Sequence, residues 1–330
     1  MLEFLKNDVV YYIICGVLTV MVLLGISFMS KVKTSVSGNR LSALSMTLAI
    51  ILTLFHYDII SFTSVLIICL ITVIIGSFIG FYGAKKVKMI QMPETVALLN
   101  GFGGLASAIV GACAMFTVTD KFDLATAVLA LIIGALTFTG SVIAAAKLAK
   151  IMSGRPVKWP GHQFITMATL VLMLTVFILA LIFDLPLVFM LLALILGSFF
   201  GIAFAIRVGG ADMPITISLL NSFSGVAGAI AGMAINDILL VAIGGIVGAS
   251  GLLLTQIMCR AMNRSLLDIL LGKTSVLGKT KKADILEKSI KDQGKKETVI
   301  LSEILKSAKK AIIVPGYGMA LAQAQHLVKQ

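Results

Sequence analysis

The chain has 330 residues and a formal net charge of +12, with 59% hydrophobic and only 13% charged residues, and its mean hydropathy is +1.07. That balance lies far outside the range of soluble globular domains and excludes a water-soluble enzyme or a nucleic-acid-binding module as the reading of the whole chain. A polytopic membrane protein remains.

Nine apolar runs are long enough, or nearly so, to span a bilayer, which takes roughly 17–25 residues. They cover residues 9–29, 41–55, 64–83, 93–116, 124–148, 164–183, 186–206, 213–235 and 238–260. The second is short. It is counted because, with nine spans, thirteen of the fifteen Lys and Arg residues up to Arg264 share one side and only Lys6 and Lys121 lie opposite. Basic residues beside spans mark the cytoplasmic face, so the N-terminus is expected outside and the C-terminus inside, in a multi-pass protein of the inner (plasma) membrane. With no small-residue cleavage site ahead of Val9, the first run reads as a span and not as a signal. The positive charge is topology plus a basic tail and requires no nucleic-acid partner.

A repeat organises the spans. Residues 91–111, QMPETVALLNGFGGLASAIVG, and 212–232, DMPITISLLNSFSGVAGAIAG, are identical at twelve of 21 positions. Gly76, Ser77, Phe78 and Gly80 likewise fall on Gly197, Ser198, Phe199 and Gly201, so an offset of 121 holds over 36 residues. Four spans separate the two starts, so the copies run in the same direction. Spans two to five are expected to match six to nine, with Gly134–Gly140 over Gly245–Gly251 once about ten residues are dropped from the outer loop. Parallel repeats about an axis along the membrane normal are one way to build a central pathway. Gly76 and Gly80, Gly197 and Gly201, Gly228 and Gly232, and Gly244 and Gly248 are each four apart, which suits close helix packing. Cys15, Cys69, Cys113 and Cys259 lack the spacing of a metal site or redox pair.

The intramembrane polar inventory is short. No Lys, Arg, Asp or Glu falls in the middle of a run, and His56, His162 and His326 lie at ends or outside. Asn100 and Asn221 are the deepest strong hydrogen-bonding groups, and an amide in hydrocarbon is costly unless paired or hydrated. They read either as interhelical glue or, being equivalent in a repeat, as a shared polar centre. Glu94 and Asp212 beside the two Met-Pro starts either favour the positive helix N-termini or form a cytoplasmic mouth for protons.

Beyond Arg264 the composition turns polar, with KTKKAD, KDQGKKE and KSAKK, as in a solvated linker containing a short helix at residues 298–306. A β-type run at 311–314 then leads into PGYGMALAQAQH. Strand, glycine turn and helix open a dinucleotide-binding βαβ unit, in which glycines let the backbone approach a pyrophosphate. The third glycine of the usual fingerprint is replaced by Leu321. A Gly-x-Gly alone is a weak signal.

PGYGMALAQAQH after a linker, with ADMPITISLLNSFSGVAGAIAG, NDILLVAIGGIVGASG and IMCRAMNRS, resembles the β subunits of proton-translocating nicotinamide nucleotide transhydrogenases over essentially the whole chain. The resemblance implies an all-α membrane domain of about nine helices with a parallel internal repeat, followed by the start of a Rossmann-like domain. It divides the chain into a proton-translocating domain at 1–264, a cytoplasmic linker at 265–310 and the start of an NADP(H)-binding domain at 311–330. That domain ends here after one helix, so the expectation is a fragment that does not by itself hold NADP(H) and is inactive alone. NAD(H) is expected on a partner α subunit, in a dimer of αβ units embedded in lipid. The residues implied for the proton pathway and coupling are Asn100, Asn221, Asp212, Glu94, Ser141 and Arg264, and those implied for cofactor binding are Gly316, Tyr317, Gly318, Met319 and Ala320. No catalytic residue and no metal ligand is expected.

One departure matters. Many members of the family carry a histidine where this sequence has Asn100, and an amide orders water but does not titrate near neutrality. Either another subunit supplies the titrating group, or protons pass along a water chain. An ion or small-solute transporter without redox activity would explain the repeat but not the Gly-Tyr-Gly turn. A membrane scaffold would explain only the packing glycines.

Overall fold

A computed structural model describes residues 7–61, 63–262 and 265–266. Arg264, the linker helix at 298–306 and the strand-turn-helix at 311–330 lie outside the described residues. The described part is all helix: α1 (Asp8–Met29), α2 (Ser35–His56), α3 (Thr63–Lys86), α4 (Met92–Ala114), α5 (Lys121–Leu148), α6 (His162–Ile182), α7 (Pro186–Ile206), α8 (Met213–Ala234) and α9 (Ile238–Ala261). All nine are long and apolar enough to cross a membrane. Helix is what such runs must form, because hydrocarbon offers no partner for a free N–H or C=O. The chain is an integral membrane protein.

The short second run is a full span of 22 residues. It begins at Ser35, six residues before the apolar run, because polar residues such as Asn39 and Arg40 at a helix end sit in the interface, where hydropathy undercounts them. Side chains cap several helix N-termini: Asn7 accepts from Val9 N at 2.9 Å, Asp120 from Phe122 N at 2.8 Å and Asp237 from Leu240 N at 2.9 Å. These bonds satisfy N–H groups that the first turn leaves without a partner.

The repeat is visible in local structure. A 3-10 turn precedes α4 at Met89–Gln91 and α8 at Gly210–Asp212, at the same offset of 121, and Pro93 and Pro214 both occupy the first helical turn, where a missing N–H costs nothing. In each half the next two helices form a tightly packed hairpin. A Cβ on Gly134 would lie 2.5 Å from Gly104 O and 2.6 Å from Ala108 N. Gly244 meets Gly225 O and Ala229 N in the same way, and these are Gly104 and Ala108 moved by 121. Gly134 therefore corresponds to Gly244, not Gly245, and Ser141 corresponds to Gly251, since Gly101 faces Ser141 as Ser222 faces Gly251. The expected match of α5 to α9 is thus out by one residue. Composition misled it because Gly244 and Gly245 are adjacent, whereas only Gly244 faces the neighbouring backbone.

The two hairpins meet through α4 and α8. Gly103 faces Ser224, where a Cβ would lie 2.6 Å from its Oγ, and Gly228 faces Ser107 Oγ at 3.9 Å. Each pair consists of repeat equivalents. Two parallel helices that touch through equivalent residues have the pseudo-two-fold axis running between them, as the repeat predicts. α5 lies at the centre of the bundle, buried from Thr126 to Lys147, against α4, α7 and α8.

The remaining helices break the symmetry. Gly197 of α7 faces Ile132 O of α5 at 2.8 Å, and Gly201 faces Leu136 O and Thr139 Oγ1, while Thr139 Oγ1 donates to Ser198 O at 2.9 Å. The equivalent Gly76 and Gly80 of α3 have nothing within 4 Å, and no residue of α3 is buried. α2 packs on α1 rather than on α3. The expected match of spans two to five with six to nine therefore holds in packing for α4 and α5 against α8 and α9, but not for α2 and α3. Small residues permit close approach without enforcing it, because lipid solvates an apolar helix as well as a neighbour does.

Equivalent glycines should respond oppositely to a side chain. Gly197→Leu is expected to lower stability by about 1–3 kcal/mol or more through overpacking against the α5 backbone at Ile132, whereas Gly76→Leu should leave it unchanged, both read as thermal unfolding in detergent. Equal effects at the two positions would contradict the packing described.

Candidate functional site

Asn100 is 8% exposed and donates from Nδ2 to Ile217 O of α8 at 3.3 Å. It sits one turn before the Gly103–Ser224 contact, so the amide spans the helix pair on the pseudo-axis. Asn221 lies at the equivalent depth but is only half-buried, and among the described residues it makes no reciprocal bond to Val96 O. The two amides that the sequence equates are thus not equivalent in environment.

Beside Asn100, α5 brings in Ser141. Its side chain is fully buried, and Gly101 is glycine because a Cβ there would stand 3.1 Å from Ser141 Cβ. The Ser141 hydroxyl has no hydrogen-bond partner among the described residues. Buried hydroxyls are ordinarily satisfied, by protein or by water, so this group is chemically suited to hold a water between α4, α5 and α8.

The α8–α9 hairpin adds a polar seam. Ser222 Oγ donates to Gly248 O at 2.6 Å, and Thr255 Oγ1 lies 2.9 Å from Ser218 Oγ and 2.8 Å from Gly251 O. All three residues are buried. Sequence reasoning passed over them because a single Ser or Thr in a membrane helix normally bonds its own backbone; the available signal was the spacing of Ser218 and Ser222, one turn apart on one face.

At the basic ends of the helices, Asp212 is 4% exposed. It stands directly before α8, where the helix N-terminus favours a carboxylate. Arg207, at the end of α7, is as deeply buried, and burial pulls its guanidinium below its ordinary value. Glu94 is only half-buried in the first turn of α4, so the two acids near the Met-Pro starts have different surroundings. Asp212, Arg207 and Lys147 of α5, which is 3% exposed, make the basic end of this half a buried charged region that hydropathy alone did not single out. No cluster of metal-binding side chains occurs among the described residues. Arg264, Gly316, Tyr317, Gly318, Met319 and Ala320 lie outside them.

The candidate site thus comprises the polar groups Asn100 and Ser141 beside the α4–α8 crossing and a buried charged region with Asp212 at the basic end. The sequence profile of the family described as "NAD(P) transhydrogenase beta subunit" matches residues 10–330. A protein named NAD(P) transhydrogenase subunit beta from Rhodospirillum rubrum is 34% identical over 333 residues, covering 97% of this chain and 69% of that protein, and the same figures hold for one from a named strain of the organism. With nine helices long and apolar enough to cross a membrane among the described residues and a match over nearly its full length, the chain belongs to the NAD(P) transhydrogenase beta subunit family.

Proposed function

We propose that this chain is the membrane subunit of a proton-translocating, Si/Re-specific NAD(P)+ transhydrogenase, coupling hydride transfer from NADH to NADP+ with proton passage across the inner (plasma) membrane. The observations that carry the reading are the buried Ser141 hydroxyl against Gly101, next in sequence to Asn100, the Asn100 amide bonded to Ile217 O across the α4–α8 crossing, and the buried Asp212 before α8. A polar line through nine apolar helices is costly unless it is used.

No side chain on that line between Asn100 and Thr255 titrates near neutrality, so protons pass along water ordered by amide and hydroxyl groups. Asp212 is the carboxylate at which a proton arriving at the inner end would be held. Hydride exchange between two nicotinamides is nearly balanced, so protonation must change NADP(H) affinity to drive it, and that coupling is reciprocal. NADP(H) would be held by the domain that Gly316, Tyr317, Gly318, Met319 and Ala320 open, with glycines at the pyrophosphate, and it supplies the hydride chemistry. NAD(H) would be held by the α subunit, in a dimer of αβ units. Arg264 and the linker are the covalent route between membrane and nucleotide domains. The sequence motif supports this part of the reading.

In vesicles carrying the full-length subunit with its α partner, Asp212→Ala and Asn221→Ala are each expected to lower proton-coupled NADPH formation about tenfold or more, with NADH binding to the α subunit unchanged. Normal proton pumping by both variants would assign the pathway to the partner. The proposed orientation is tested separately: a reporter fused after Arg264 should be active in the cytoplasm, and a tag near Asp120 should be reached from outside. The reverse pattern would invert the topology.

A further inference from the structure

A helix ends with carbonyls that it cannot satisfy itself, and in α7 those carbonyls are buried. Besides the N–H groups of Val208 and Val157, which donate to Ala205 O at 3.2 Å and Ile206 O at 3.1 Å, their partners come from two other helices. Lys147 Nζ of α5 donates to Ala205 O at 3.4 Å, to Val208 O at 2.8 Å and to Ile206 O. His162, the first residue of α6, reaches Ala203 O through Nε2 at 2.8 Å, and the Trp159 N–H donates to its Nδ1 at 3.4 Å. The ring is therefore the neutral Nε2–H tautomer. It stacks on Trp159, which stacks in turn on Phe199 of α7.

An ammonium has three N–H donors and no acceptor. Three carbonyls converge on Lys147, so each proton is placed, and the charge rests on the negative end of the α7 dipole. The carbonyls belong to the turn that leads to Asp212. Within that turn Gly210 N donates to Gly154 O at 2.9 Å and Asp212 N to Gly209 O at 3.0 Å. The end of α7 is thereby fixed to α5 and α6 only a few residues before the carboxylate.

The internal repeat supplies a control. In the register fixed by the glycine contacts, Lys147 corresponds to Ile257 of α9, which is 62% exposed, and Asp212 corresponds to Gln91, which is also exposed. The half with a buried carboxylate has the lysine clamp; the half with an exposed amide has neither. The end of α3 is exposed and that of α7 is buried, so the clamp, the buried helix end and the buried carboxylate occur together in one half only.

We infer that Lys147 is a positioning residue for Asp212, holding the α7–α8 turn so that the carboxylate keeps its place at the inner end of the proton route; this rests on the reading of Asp212 given above. His162 supports the same turn from α6.

The test is a double-mutant cycle in the reconstituted αβ holoenzyme, read as protons translocated and NADPH formed in proteoliposomes. Lys147→Met should lower coupled turnover about tenfold in the wild-type background but less than about twofold in an Asp212→Asn background. Lys147→Arg keeps the charge and the donors, so it should recover most of the loss, and Lys147→Gln, which removes the charge but keeps a donor, carries the same cycle if the methionine variant does not assemble. Equal factors in both backgrounds would overturn the inference while leaving Asp212 in its role. Full coupled turnover in Asp212→Asn alone would overturn both.

Discussion

The contact on which the structure depends is the crossing of α4 and α8, where Gly103 meets Ser224 and Ser107 meets Gly228. Because the touching residues are equivalent in the repeat, the pseudo-axis runs through the contact, and each half must place its most polar helix on that axis. Small residues are needed there, since helix association in lipid is driven by close packing and interhelical hydrogen bonds and not by hydrophobic burial. The same close approach brings Asn100 within 3.3 Å of Ile217 O. α5 packs beside this contact and adds Ser141 to it. Packing and polarity on the axis are thus consequences of one arrangement.

Symmetry explains the scaffold, and its violations mark the site. Asn100 is buried and bonded, whereas Asn221 is half-buried. Ser141 has a hydroxyl where its equivalent, Gly251, has none. Asp212 is buried and Gln91 exposed. Each difference gives equivalent positions either unlike groups or unlike surroundings. A pathway across a membrane has two unlike ends, and a repeated fold can provide unlike ends only by diverging at equivalent positions.

Much of this was legible in the sequence, for definite reasons. Span number follows from hydropathy and from the thirteen-to-two distribution of basic residues, and the place of α4 and α8 follows from the repeat. What could not be read depends on facing. Gly244 and Gly245 are indistinguishable as letters, but only the first meets a backbone. Gly76 and Gly197 are repeat equivalents, yet only Gly197 is packed, because an apolar helix is equally well solvated by lipid. Lys147 looked like one more basic residue beside a span; its three carbonyl partners come from residues about 60 positions away, as the separations of 58 to 61 show. Asn100, where many relatives carry histidine, was legible as a substitution, and burial against α8 gives it a use that needs no titration.

The account stands or falls on whether water reaches the axis at Ser141. In a cysteine-free subunit assembled with its α partner, a Ser141→Cys thiol should react with a small hydrophilic methanethiosulfonate reagent in membrane vesicles, and the modification should stop proton-coupled NADPH formation. A thiol that stays inert while coupled turnover continues would mean that the space between α4, α5 and α8 is dry, and that protons cross elsewhere.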